Sequence, residues 1–157
     1  MTAIIIAANL IKQFEGLRLT PYYCPAGHKT IGYGHVITPQ ESIGNRINKQ
    51  QAEELLEDDI RKCQTALHKY CSVPLTENQQ AALISFIFNC GVGAFQSSTL
   101  RQRLNRGEYL NAANELLRWI HAKGVKLPGL VERREIEQSL FLSRINIAAN
   151  IGNIRNP

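Results

Sequence analysis

Glu15, Cys24 and Thr30 are the side chains whose types and spacing could act together chemically. In FEGLRLTPYYCPAGHKTIGYGH, residues 14–35, Glu15 is the only carboxylate; Cys24 follows nine residues later and Thr30 six after that. Cutting a glycosidic bond needs a proton donor beside the leaving oxygen and a group on the opposite sugar face that places water or acts as nucleophile. Glu15 can be the donor, provided the segment carrying Cys24 and Thr30 folds back over it. Gly32 and Gly34 permit close backbone approach to a ligand, and Tyr22, Tyr23, Tyr33 and His35 offer flat faces and donors suited to sugars. Taken singly, each residue has a plainer reading: Glu15 a solvated helix cap or partner of an arginine, Cys24 an inert small hydrophobe, Thr30 an ordinary strand residue, His35 a satisfied structural histidine. The combination carries the functional reading.

The flanking segments supply the elements that position these groups. Ile4, Ala7, Ala8, Ile11 and Phe14 recur at helical spacing, predicting a first helix that delivers Glu15 at its C-terminal end. From Leu17 to Ile37, Tyr, Thr, Ile and Val broken by Pro25, Gly27, Gly32 and Gly34 predict a small antiparallel sheet with tight turns. Thr38-Pro39-Gln40-Glu41 has the form of a capping box and predicts a short helix or turn. Asn48 is placed to cap a long amphipathic helix with Ala52, Leu55, Leu56, Ile60, Cys63, Ala66 and Leu67 on one stripe. A second capping box, Thr76 to Gln79, precedes AALISFIFNCG, apolar on nearly every side and expected to be the buried centre of a helical lobe. Two short helices follow, the first closed by Gly107, then a loop AKGVKLPG, a last helix VERREIEQSLFLSR and a tail expected to fray.

The totals bound the classes. A chain of 157 residues supports one domain with a real core, or two small lobes sharing one. A net charge of +5 favours anionic partners, yet Lys and Arg are scattered rather than gathered with aromatics, which argues against nucleic acid. The apolar start, MTAIIIAANLIKQFEG, lacks the basic leader and cleavage site of a signal peptide and is too short to span a membrane, so stable membrane insertion is not expected. The four cysteines form no CxxC and have no histidine at ligand spacing, so neither a metal nor another cofactor is expected. Cys63 and Cys71 fall on one helix roughly 12 Å apart, beyond disulfide reach, consistent with reduced thiols.

The sequence Glu15, eight residues, Cys24, five residues, Thr30 closely resembles the signature of the phage-type lysozymes of the T4 lysozyme family, endolysins that cut bacterial cell wall. LTENQQAALISFIFNCGVGAFQSSTLRQRLNRGEY and AANELLRWIHAKGVKLPGLVERREIEQSLFL are similar to that family's second half, so the resemblance covers nearly the whole chain. It implies an α+β, mainly helical lysozyme-like fold, with a small N-terminal antiparallel β-sheet lobe joined by a long helix to a larger helical lobe. The single domain, 1–157, would divide into a β-containing lobe at about 14–48, a linking helix at 49–72, and a helical lobe of 73–145 with 1–13.

The activity implied is hydrolysis of the β-1,4 bond between N-acetylmuramic acid and N-acetylglucosamine, with Glu15 as general acid and Thr30 helping to place the attacking water. The family's middle position is Asp or Cys. A thiol with a pKa near 8.5 is mostly neutral at pH 7, so Cys24 is a weaker electrostatic partner than a carboxylate unless His28 or Lys29 lowers its pKa. With no second carboxylate near Glu15 in sequence, direct displacement by water with inversion is expected. Substrate-binding positions carry over to Val36, Phe88, Asn89 and Thr99, core packing being the alternative for Phe88. A further family asparagine position falls on Ala113, with Asn114 beside it. Support is expected from His35 and from Arg133 or Arg134, placed near the loop before the last helix, one of which would pair with Glu15. A solvated helix face is the competing reading, and it suits Arg134 better.

The implied partner is bacterial peptidoglycan, with a separate pore-forming, holin-type protein needed for access. A monomer held in the host cytoplasm until release is expected. A lytic transglycosylase and a non-catalytic cell-wall binding module are the alternatives.

Overall fold

The computed structural model describes residues 2–143. The first helix, α1 (Thr2–Glu15), buries Ala3, Ala7, Leu10 and Ile11, a stripe rotated slightly from the expected one because the helix packs against two others and leaves Ile4 and Ala8 half-covered. It stops at Glu15 because Gly16 turns to φ 67° and its N–H returns to the Lys12 carbonyl at 3.3 Å, a left-handed cap that glycine makes without a Cβ penalty.

Three antiparallel strands follow in the order β1 (Arg18–Tyr23), β2 (Lys29–Gly32), β3 (His35–Val36). Tyr22 pairs with Thr30 and Thr30 with Val36, so these three form one row on one face of the sheet. Ile31 and His35 pair on the other face and are buried. A register irregularity between Arg18 and Tyr22 surrounds Pro21, which cannot donate to the ladder.

The Thr38–Glu41 segment is a turn rather than a helix. Its Glu41 carboxylate does accept from the Thr38 N–H at 2.7 Å, but the same carboxylate is drawn to His35, and the chain runs irregularly on to Asn48. There Asn48 and Gln51 form a complete capping box that starts α2 (Lys49–Tyr70). Its buried stripe, Ala52, Leu56, Ile60, Cys63, Ala66 and Leu67, carries the sheet at one end, where Gly32 lies on Ala52, and the helical body further along.

The body is built on α3 (Glu77–Cys90), capped by Thr76 and Gln79 and buried from Ala81 through Ile87. It packs against α1, α2 and the last helix, α7 (Pro128–Leu142). Between them run α4 (Val92–Gln96), a turn of helix not foreseen from the sequence, then α5 (Thr99–Asn105), capped by the Ser98 side chain and closed at Gly107, and α6 (Tyr109–Leu116). The expected loop AKGVKLPG is instead a β-hairpin, β4 (His121–Ala122) with β5 (Val125–Lys126), turned by Lys123 and Gly124, both at positive φ. Pro128 starts α7 three residues earlier than expected, and Arg133 and Arg134 lie well inside the helix, away from the loop before it. All four cysteines are free, and the expected tail lies outside the described residues.

Asn48→Ala removes one half of the capping box and should lower unfolding free energy by about 1 kcal/mol, read from the urea midpoint with an unchanged slope.

Candidate functional site

The end of α1 sets Glu15 against the sheet. A Cβ on Gly34, at φ 77°, would stand 2.9 Å from Glu15 Oε2 and 3.1 Å from its carboxyl carbon. The sequence reading gave the two glycines to an approaching ligand; Gly34 in fact makes room for the protein's own carboxyl, whereas a Cβ on Gly32 would rest in ordinary contact 3.5 Å from Ala52. Glu15 keeps 23% of its side chain exposed. Its Oε1 accepts from Arg133 Nη1 at 2.9 Å, and Arg133 is buried. Arg133 Nη2 donates to the Ser85 carbonyl at 3.0 Å and lies 3.3 Å from its hydroxyl, and the guanidinium rests 4.7 Å over the Phe14 ring. Arg133 is thus the cation expected to pair with Glu15, and neither arginine is on a solvated face.

Cys24 closes β1 at a tight turn, with Gly27 donating to its carbonyl at 2.8 Å. The amide of His28 pulls the thiol below its ordinary range against the effect of desolvation, helped by the amides of Ala26 and Gly27 and the hydroxyl of Thr30. The lowering therefore comes from His28 through its backbone, not through a charged ring. The Thr30 hydroxyl donates to the His28 carbonyl at 2.9 Å. Tyr22, next to Thr30 in the cross-strand row, is raised by burial first and then by the charge of Glu15, with Cys24 adding, and Arg18 over its ring opposing. Glu15, Tyr22, Cys24 and Thr30 therefore lie in one electrostatic neighbourhood.

Other expected site residues divide. Val36 completes the row beside Thr30 and is exposed. Asn89 is exposed, but its carbonyl oxygen is held by Arg134 Nη2. Phe88 is half-buried against the core, and Thr99 is an exposed first-turn residue of α5. Ala113 is fully buried, and Asn114 accepts from Gln138 at 3.1 Å, so that family contact has no counterpart here. Tyr33 and His35 are buried and cannot present faces to a sugar. Tyr33 donates to Glu53 at 3.1 Å. His35 sits between Asp59 at Nδ1 and Glu41 at Nε2, each 2.8 Å away. Only the doubly protonated ring satisfies both carboxylates; the bond to Asp59 leads in raising its pKa, against desolvation. It is a cationic pin between β3, α2 and the 38–48 segment.

Sequence reading missed Glu137. Fully buried on α7, it accepts from Arg134 Nη1 through both oxygens, with Oε2 at 2.8 Å, and its Oε1 lies 3.5 Å from Arg133 Nε. Its i,i+3 and i,i+4 spacing to the two arginines was visible, but such pairs ordinarily lie on solvent. Among the described residues, no three His, Cys, Asp or Glu side chains gather as a metal would need.

An acid at a helix end, facing a three-stranded sheet that a long helix joins to a helical body, defines a lysozyme-like glycoside hydrolase. The family model described as Phage lysozyme matches residues 12–137. An endolysin of Acyrthosiphon pisum secondary endosymbiont phage 1 is 45% identical over 85% of this chain and 93% of its own. An endolysin of Bacillus phage B103 is 44% identical over 86% of this chain but 52% of its own, so the chain spans about half of that relative. The solved muramidase domain of SpmX from Asticaccaulis excentricus superposes with a TM-score of 0.78 at 38% identity, over 87% of this chain and 95% of that one. The chain belongs to the phage lysozyme family.

Two outcomes test this geometry. Gly34→Ala forces a left-handed alanine onto the Glu15 carboxyl and should cost about 1–3 kcal/mol in chemical unfolding while lowering cell-wall clearing. The raised pKa of His35 means that its ion pairs stabilise the fold fully below about pH 6.5 and that this contribution is lost as pH rises through the higher folded value. The Tm difference between wild type and His35→Asn should therefore be largest in mild acid and shrink as pH rises.

Proposed function

We propose that this enzyme hydrolyses the β-1,4 bond between N-acetylmuramic acid and N-acetylglucosamine in peptidoglycan, with Glu15 as general acid. The observation that carries the reading is the Glu15 carboxyl itself: partly open to solvent on one side, anchored on the other by a buried guanidinium, and next to the Cys24–Thr30 corner of the sheet. Protonated Glu15 gives its proton to the bridging oxygen as the bond to the anomeric carbon breaks. A water on the opposite face attacks that carbon and releases its proton to solvent or to a neighbouring base. The Thr30 oxygen retains lone pairs that can accept from that water, and Cys24, lowered by the His28 amide, offers partial negative charge to the oxocarbenium-like transition state. Val36 beside Thr30, with Asn89, Phe88 and Thr99 on the helical body, is assigned to the walls of the sugar groove.

Inversion is supported by the absence of a usable second carboxylate among the described residues. Glu137 is buried behind Arg133, and Glu41 and Asp59 are committed to His35. A bacteriolytic role at the wall follows, with the positive charge favouring an anionic polymer and with passage through a separate pore-forming protein. No helix among the described residues is long and apolar enough to cross a membrane.

Glu15→Gln should lower turnover of purified peptidoglycan by about 10²-fold or more, while Cys24→Asp remains active. Full activity in the glutamine variant would remove the acid assignment. NMR of the first product should show the inverted anomer, and mass spectrometry should show reducing ends of full mass; 1,6-anhydro ends, lighter by one water, would instead identify a transglycosylase.

A further inference from the structure

Arg133 poses an electrostatic problem for the proposed acid. A guanidinium 2.9 Å from Glu15 favours the carboxylate, whereas a general acid must still hold its proton when substrate binds. The opposite side of that guanidinium carries the remedy. Arg133 Nε is buried with no hydrogen-bond partner and faces the Glu137 carboxylate at 3.5 Å, a distance that transmits charge without making a bond. Glu137 is itself held in place by the two-oxygen contact from Arg134 Nη1. Arg134 in turn donates to the Trp119 carbonyl at 2.8 Å and to the Asn89 side chain, so the carboxylate cannot swing away from Arg133.

We propose that Glu137 is a positioning residue for the reaction, acting through Arg133 to weaken that guanidinium's pull on the Glu15 proton and so extending activity toward neutral and alkaline pH. The inference rests on the reading of Glu15 as general acid. The ionisable groups that bear on Glu137 are Arg133 and Arg134 on its own helix and the Cys90 thiol from α3, with Glu15 of α1 beyond Arg133. With all four charged groups ionised, the two guanidiniums and two carboxylates balance. Removing the Glu137 charge leaves an uncompensated cation whose field favours loss of the Glu15 proton. Burial raises the Glu137 carboxyl, but the two-oxygen contact from Arg134 and the second guanidinium at 3.5 Å oppose that and hold it as the anion, where solvent does not screen it. The two carboxyls are thus coupled through one cation.

The test is the pH profile of kcat/KM on purified peptidoglycan for wild type, Glu137→Gln and Glu137→Asp, with Glu15→Gln as the control on the acid assignment and thermal melts to establish folding. Folded Glu137→Gln should lose activity on the alkaline limb about one pH unit lower than wild type, the order expected from one unit charge acting across a guanidinium. Glu137→Asp, which keeps the charge, should shift the limb less. An alkaline limb unmoved in Glu137→Gln, or moved equally by both substitutions, overturns the proposal even when Glu15→Gln is dead. Activity persisting in Glu15→Gln overturns instead the reading beneath it. Should Glu137→Gln fail to fold, ¹³C NMR titration of wild-type Glu15 decides: a midpoint at or above the free carboxyl value of about 4.3 supports compensation of Arg133 by Glu137, and a midpoint well below it overturns the proposal.

Discussion

A buried guanidinium organises this molecule. Arg133 lies almost wholly out of water, where an unpaired charge is costly, so every direction of its planar group must meet a partner. One terminal nitrogen takes Glu15 from α1, the other takes Ser85 from α3, the face takes Phe14, and Nε looks at Glu137. Three helices are thereby registered on one side chain. Where α1 stops, how deep α3 sits and which face α7 turns inward are settled together, and the position of the proposed proton donor is a consequence. The close pass of Gly34 completes the constraint, because the sheet reaches the carboxyl only where no Cβ intervenes.

The sheet's side of the proposed site follows from a similar economy of polar groups. His35 points away from the Tyr22–Thr30–Val36 row and is spent on two carboxylates, one from α2 and one from the irregular segment before it. Its charge locks the short third strand, which has too few residues to be held by ladder bonds alone. Thr30 is thereby held between Tyr22 and Val36, with its hydroxyl directed at the turn containing Cys24. That turn's backbone amides, not any side-chain cation, lower the thiol. The result is a corner of the sheet whose thiol is tuned chiefly by main-chain amides.

Much of this was legible. The two capping boxes at Asn48 and Thr76, the α2 stripe and the all-round apolar run of α3 are local patterns whose meaning depends on residues three or four positions away. The Glu15, Cys24, Thr30 spacing pointed to one neighbourhood because a helix end and a hairpin admit few arrangements. The capping-box form at Thr38 left a short helix or a turn open. Its carboxylate does cap locally, but a distant histidine also claims it, and only a turn forms.

What the sequence by itself determined is therefore the main helices, the three-stranded sheet and the fold class, while α4 and the β4–β5 hairpin were not among its expectations. Each of the former rests on short-range periodicity, caps and turn residues, or on a motif within one segment. The tertiary structure alone decided which charges are buried and which glycines face what. Arg134 and Glu137 have the spacing of a solvent-exposed helical pair, and only the packing of α7 on α3 and α6 turns them inward. Tyr33 and His35 have the look of sugar-facing residues until α2 covers them. Burial and long-range pairing depend on contacts between residues as far apart as Glu15 and Arg133, and no local pattern encodes the direction from which such a partner arrives.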